Sequence, residues 1–152
     1  MIYIECDADE KLVRELGFGR HQFIHEGGKF ELCKKLQRNK NGVGLIEDDK
    51  GESNPTYLLK CALIEEGNDI RIYLDKRSSN RLIVLVNDLE DWILKVARKN
   101  YIDVVNFGLE PTRNRMHRVM PGRLQSFQRL IAALLQAKCP EILFLQEKLK
   151  NT

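Results

Sequence analysis

Each shortage in this chain removes a class of protein. No apolar run comes near the roughly 18 residues that a membrane-spanning helix needs, and the opening Met1-Ile-Tyr-Ile-Glu5 has neither a basic region nor a hydrophobic segment of the secretory kind. The chain is therefore read as intracellular, in the cytoplasm. Cysteine is sparse: Cys6, Cys33, Cys61 and Cys139 include no two closer than 27 positions, so no short pair exists to grip structural zinc, and reduced, mostly buried thiols are expected. A charge excess is also missing, since 25 Lys+Arg against 22 Asp+Glu leave only +3, which excludes coating of nucleic acid by bulk charge. There is no internal repeat, low-complexity segment or linker. With 152 residues, 43% of them hydrophobic, one core can form, and a single domain over 1–152 is expected, its core at about 1–100 and a basic loop with C-terminal helices at about 101–150.

The charges that are present lie in blocks. Glu5, Asp7, Asp9 and Glu10 stand within the first ten residues without a base, and Glu47, Asp48, Asp49 and Glu52 form a second acidic group with one Lys. Between positions 111 and 140, Arg113, Arg115, Arg118, Arg123, Arg129 and Lys138 occur with no acid before Pro140. The near-neutral sum conceals a strongly polarised chain.

Apolar periodicity gives the order of elements. Ile2 to Ile4 is β-prone and stops in carboxylates; Glu10 to Leu16 supplies helix formers, with Leu12, Val13 and Leu16 on one side and Gly17 as a stop. His21 to His25 predicts a second strand, followed through Gly27 and Gly28 by a helix carrying Phe30, Leu32, Cys33 and Leu36. Val43 to Ile46 is a third strand, again ending in carboxylates. Pro55 fits the first turn of a short helix through Leu63, Asp69 to Asp75 alternates as a half-buried strand, and Leu82 to Val86 suits the middle of a sheet. A helix capped by Asn87 or Asp88 runs from Leu89 to about Asn100; after an irregular basic stretch, Leu124 to Ala137 and Glu141 to Leu149 form two more, separated by Pro140. The apolar stripes of these last two helices suit either the core or a homodimer contact.

Strands alternating with helices predict an α/β fold with a mostly parallel central sheet, helices on its faces and a C-terminal helical segment. In open sheets of this class, functional groups gather beyond the carboxyl ends of the strands, and both acidic groups fall there. Converging carboxylates repel one another unless protons or a cation intervene. Mg²⁺ or Mn²⁺ is the natural cation, because hard ions take oxygen ligands. Helix capping and the helix dipole account for acids at such positions equally directly.

The run Glu5-Cys6-Asp7-Ala8-Asp9-Glu10 after a first strand resembles the Glu-Gly-x-x-Asp-Glu opening of TOPRIM domains, which topoisomerases, primases and nucleases of the overcoming-lysogenisation-defect type share. Glu47-Asp48-Asp49 is similar to their Asp-x-Asp motif, and Ile83-Val-Leu-Val-Asn-Asp-Leu-Glu-Asp-Trp92 to the strand and acidic helix start of TOPRIM-like proteins that work beside ABC-type ATPases in phage defence. The likeness covers roughly residues 1–100. It implies a TOPRIM-like fold, a Mg²⁺- or Mn²⁺-dependent nuclease or nuclease-like effector on DNA or RNA, and regulation by a separate ATPase. On this resemblance Glu5, Glu47 and Asp49 serve the ion and the chemistry, with Asp9, Asp48 and Glu90 as further metal ligands. Cys6 stands where the family has Gly, and Glu47 where it has the first Asp; these departures put catalysis in question, and a catalytically inactive interaction module is the alternative.

Other residues add the phosphate side. Lys29, after Gly27 and Gly28, is placed to contact a scissile phosphate beside backbone amides, although no Walker loop is present. His25 is either a base or a hydrogen-bonded structural histidine. Arg113, Arg115, Arg118 and Arg123, read as one exposed loop, form the nucleic-acid surface, since arginine forks bind phosphate bidentately; an ordinary solvated loop and a dock for an acidic protein compete with that reading. No aromatic pair stands beside this segment, so base readout is not expected. A phosphoryl-receiver-like domain is disfavoured because Asn87-Asp88, and no Lys, follows the strand Leu82 to Val86.

Overall fold

The computed structural model describes residues 1–48 and 53–150. Strand β1 (Ile2–Ile4) leads to α1 (Asp7–Glu15), β2 (Phe23–His25) to α2 (Lys29–Gln37), and β3 (Val43–Asp48) follows. A 3₁₀ turn over Thr56–Lys60 introduces β4 (Ala62–Gly67), β5 (Ile70–Asp75) and β6 (Asn80–Val86). Helices α3 (Leu89–Lys99), α4 (Arg113–Val119), α5 (Leu124–Gln136) and α6 (Pro140–Leu149) complete the chain.

The six strands form one sheet in the order β2-β1-β3-β6-β5-β4. Its first four strands are parallel, while β5 pairs antiparallel with both β6 and β4. This is the expected α/β class with a mostly parallel sheet, helices on both faces and a helical C-terminal segment.

Strand alternation divides the core in two. Ile2, Ile4, Val43, Leu45, Ile83 and Leu85 face one side, where α1, α3, α5 and α6 bury Leu12, Trp92, Ile93, Phe127, Ile131 and Leu145. Tyr3, Ile46, Leu82 and Val84 face the other, covered by Leu32, Cys33 and Leu36 of α2 and by Tyr57. Helix α2 comes so close that a Cβ at Gly44 would lie 2.8 Å from Leu32 Cδ2 and equally near Leu82 Cδ2. The apolar stripes of α5 and α6 belong to the larger core.

Two expectations are corrected. The helix proposed from Pro55 through Leu63 is a short 3₁₀ turn followed by β4, an edge strand with both faces largely exposed and a register break between Leu63 and Glu65. Without a buried face there is no clean two-residue alternation to betray it. The basic stretch is helix α4 and a 3₁₀ turn over Met120–Gly122, with Met116 buried in α4 and Met120 in the turn. A helix of two turns needs few apolar contacts, so its periodicity is faint.

Candidate functional site

Four parallel strands deliver their carboxyl ends to one edge of the sheet, and the loops that follow surround an open cleft of about 1260 Å³. β1 contributes Glu5 and Cys6; β2 leads to Gly27, Gly28 and Lys29; β3 contributes Glu47; β6 and the start of α3 supply Asn87, Asp88, Glu90 and Asp91. From the opposite wall α4 brings Arg113 and His117.

The loop after β1 is braced from below. Asp9, at the third position of α1, is buried, and its Oδ2 accepts from the backbone N–H of Glu5 (3.2 Å) and of Cys6 (3.3 Å). Such a carboxylate ties the first turn of a helix to the chain entering it. Its Oδ1 is buried with no hydrogen-bond partner among the described residues. Burial pushes the Asp9 carboxyl up to about 6, against the pull of those N–H bonds and with a smaller push from Glu90. His25 closes the same loop: its Nε2 donates to the Glu5 carbonyl at 2.9 Å, which is the structural role. Desolvation, followed by the Asp9 carboxylate, pushes the Cys6 thiol up from its usual range.

The acids around α3 are engaged with the protein. Asp88 caps the helix, its Oδ1 accepting from Asp91 N–H at 2.8 Å, while its Oδ2 accepts from both Nε–H and Nη2–H of Arg113. Glu90, buried, accepts from His117 Nδ1–H at 3.1 Å. Glu47 Oε1 accepts from Leu89 N–H at 3.0 Å, satisfying one of the orphan donors at the start of α3. Lys29 is buried, with Nζ 3.4 Å from the Glu47 carbonyl oxygen.

The structure thus brings Glu5, Lys29, Glu47, Glu90 and Arg113 to one cleft. Asp9 lies beneath the β1 loop and does not line it. Asp48 is turned toward β5, where it meets Arg71 Nη1 at 3.5 Å, and Asn54. Asp49 lies outside the described residues. Arg115 and Arg118 are exposed on α4 away from the cleft wall, and Arg123 donates to the Gly108 carbonyl at 3.1 Å. Two members went unread in the sequence: Asp88, legible only as a cap, and His117, visible inside the arginine segment but without a partner until α4 folds against α3.

For a divalent cation, the donor set in the cleft is of the right chemistry. Glu5 and Glu47 offer hard carboxylate oxygens from adjacent parallel strands, and Mg²⁺ is commonly held by one or two carboxylates with phosphate and water completing its shell. Among the described residues no group of three His, Cys, Asp or Glu is arranged to hold an ion by itself. Also among the described residues, no helix is long and apolar enough to cross a membrane. No family model, curated protein or solved structure matches this chain.

Proposed function

We propose that the cleft is a phosphodiester-hydrolysing site served by Mg²⁺ or Mn²⁺, on a TOPRIM-like domain that acts as a nuclease or nuclease-like effector on DNA or RNA. The observation that carries this reading is the convergence of Glu5, Glu47 and the buried Lys29 at the carboxyl ends of three parallel strands, in one open cleft. Glu5 and Glu47 would hold the ion; bound there, it would lower the pKa of a water and stabilise the leaving oxygen. Lys29 and the Gly27–Gly28 amides bind phosphate oxygens at the start of α2. Arg115 and Arg118, whose side chains make no hydrogen bond or ion pair among the described residues, hold the nucleic-acid backbone outside the cleft. The same resemblance implies an ABC-type ATPase partner and a place in phage defence.

One observation favours a second reading, an interaction module without catalysis. Glu47, Asp88 and Glu90 already have protein partners in Leu89 N–H, Arg113 and His117, so the cleft neutralises much of its acid internally. Thermal unfolding with added Mg²⁺ or Mn²⁺ separates the two. The metal-dependent site predicts a melting temperature that rises with metal and ceases to rise in Glu5→Gln and Glu47→Gln; the module predicts no rise in any of them.

A further inference from the structure

The two ends of α3 differ in a way that points to a second binding element. Its N-terminal end is tied into the cleft by Asp88, Glu90 and Asp91. Its C-terminal end closes with Tyr101 N–H bonded to the Arg98 carbonyl (3.3 Å) and Ile102 N–H to the Ala97 carbonyl (2.9 Å). This paired closure places the residue after the cap in left-handed backbone, where glycine is favoured. Here the residue is Tyr101, at φ 58° and 96% exposed. Lys138 closes α5 in the same conformation, but Tyr101 is the one aromatic among the described non-glycine residues with positive φ. Its ring is buried against nothing, so packing does not explain why a large apolar side chain stands at a position that disfavours it.

Tyr101 borders a pocket of about 370 Å³ with an apolar wall that includes Leu94, Ile102 and Pro111. Two charged residues line it. Arg98 is exposed and its guanidinium makes no hydrogen bond or ion pair among the described residues, whereas Asp103 spends Oδ1 on the Val105 N–H at 3.0 Å. The pocket therefore offers an aromatic face, a cation without a partner and an acid engaged in a turn. Asp91 lines the cleft and Arg98 lines this pocket; with Lys95 between them, spacings of four and three put all three on one stripe of α3. From Asp91 to Tyr101 the rise is about 15 Å.

We propose that Tyr101 and Arg98 form a stacking platform for an unpaired nucleobase of a strand whose backbone lies in the cleft: Tyr101 takes the base face and Arg98 the adjoining phosphate. The inference rests on the reading of the cleft as a nucleic-acid site, and it names the substrate class as single-stranded, because bases within a duplex have no free face to offer. Stacking on an aromatic side chain is tolerant of sequence, which fits a site with no base-reading helix.

The test is fluorescence anisotropy of labelled single-stranded DNA, single-stranded RNA and duplex DNA, with and without Mg²⁺, alongside thermal unfolding. Tyr101→Gly suits the local backbone, so it folds with an equal or higher melting temperature; it weakens single-strand binding by about 5-fold to 100-fold while Tyr101→Phe binds like the wild type. Arg98→Gln weakens the same binding by a smaller factor. If the wild type binds single strands and Tyr101→Gly binds them equally well, the platform is overturned and the cleft reading stands. If the wild type binds none of the three probes, the cleft reading fails and takes the platform with it.

Discussion

The two edges of the sheet use the same residue types to opposite ends. At the edge where β2, β1, β3 and β6 terminate, every strand is followed by a loop that enters a helix or, after β3, the chain leading to β4, and the polar side chains open on a cleft. At the other edge, where β5 ends and β6 begins, polar groups close on one another. Tyr57 Oη donates to Asp75 Oδ2 at 2.7 Å; Asn80 Nδ2 donates to the Leu36 and Asn39 carbonyls, and its Oδ1 accepts from Gly42 N–H. Two of the buried carboxyls, Asp9 and Asp75, register the difference. Hydrogen bonding, led by Tyr57, holds Asp75 below its usual range, whereas desolvation lifts Asp9 to about 6. A closed network is a strut, whereas at the open edge the buried Asp9 Oδ1 has no hydrogen-bond partner among the described residues.

The sharpest probe of this contrast is pH. Because Asp9 binds its proton more tightly in the native state than in the unfolded chain, its contribution is fully present below about pH 4 and is lost as pH rises through about 6, a fall of up to roughly 3 kcal/mol. Asp75 runs the other way: its contribution is present above the unfolded value and is lost as pH falls through its lowered one. Denaturant unfolding of wild type and Asp9→Asn across this range should show the variant gaining on the wild type as pH rises. Parallel profiles would mean that Asp9 is no less comfortable than Asp75.

Smaller effects follow on both edges. Arg113→Ala removes both fork bonds from Asp88, whose side chain is only 9% exposed, and should cost about 2 kcal/mol in chemical denaturation while loosening α4 from α3. Tyr57→Phe, at the closed edge, should cost about 1 kcal/mol and leave metal and oligonucleotide binding at wild-type levels. A change in either binding would show that the two edges are not separate. Leu59→Gln, at an 87% exposed site beside the edge strand, should alter stability by less than about 0.5 kcal/mol.

Much of the fold was legible because buried strands and helices impose their own periods. Val43 to Ile46 reads as an apolar strand and Leu82 to Val86 as a central one, and both are buried on two faces. β4 escaped because it is an exposed edge, and α4 because seven residues with one buried Met carry almost no pattern. The acids after β1 and β3 were found at the right sheet edge, but which way each carboxylate turns is a tertiary outcome. Asp9 serves the backbone of its own loop, Asp48 meets Arg71 from β5, and Glu90 meets His117 from a helix 27 positions away. Neighbours along the chain do not encode such pairings. Tyr101 is the converse case: an aromatic 12 positions before the arginine segment gives no sign, in sequence alone, of being exposed or of standing in left-handed backbone.

The most direct test of the cleft is phosphodiester cleavage of single-stranded DNA, duplex DNA and RNA, measured against Mg²⁺ and Mn²⁺ concentration for the wild type and Glu5→Gln. The reading predicts cleavage that depends on the metal and falls by at least about a hundredfold in the variant, with single strands the preferred substrate. Failure of the folded wild type to cut any of the three substrates at any metal concentration would contradict it.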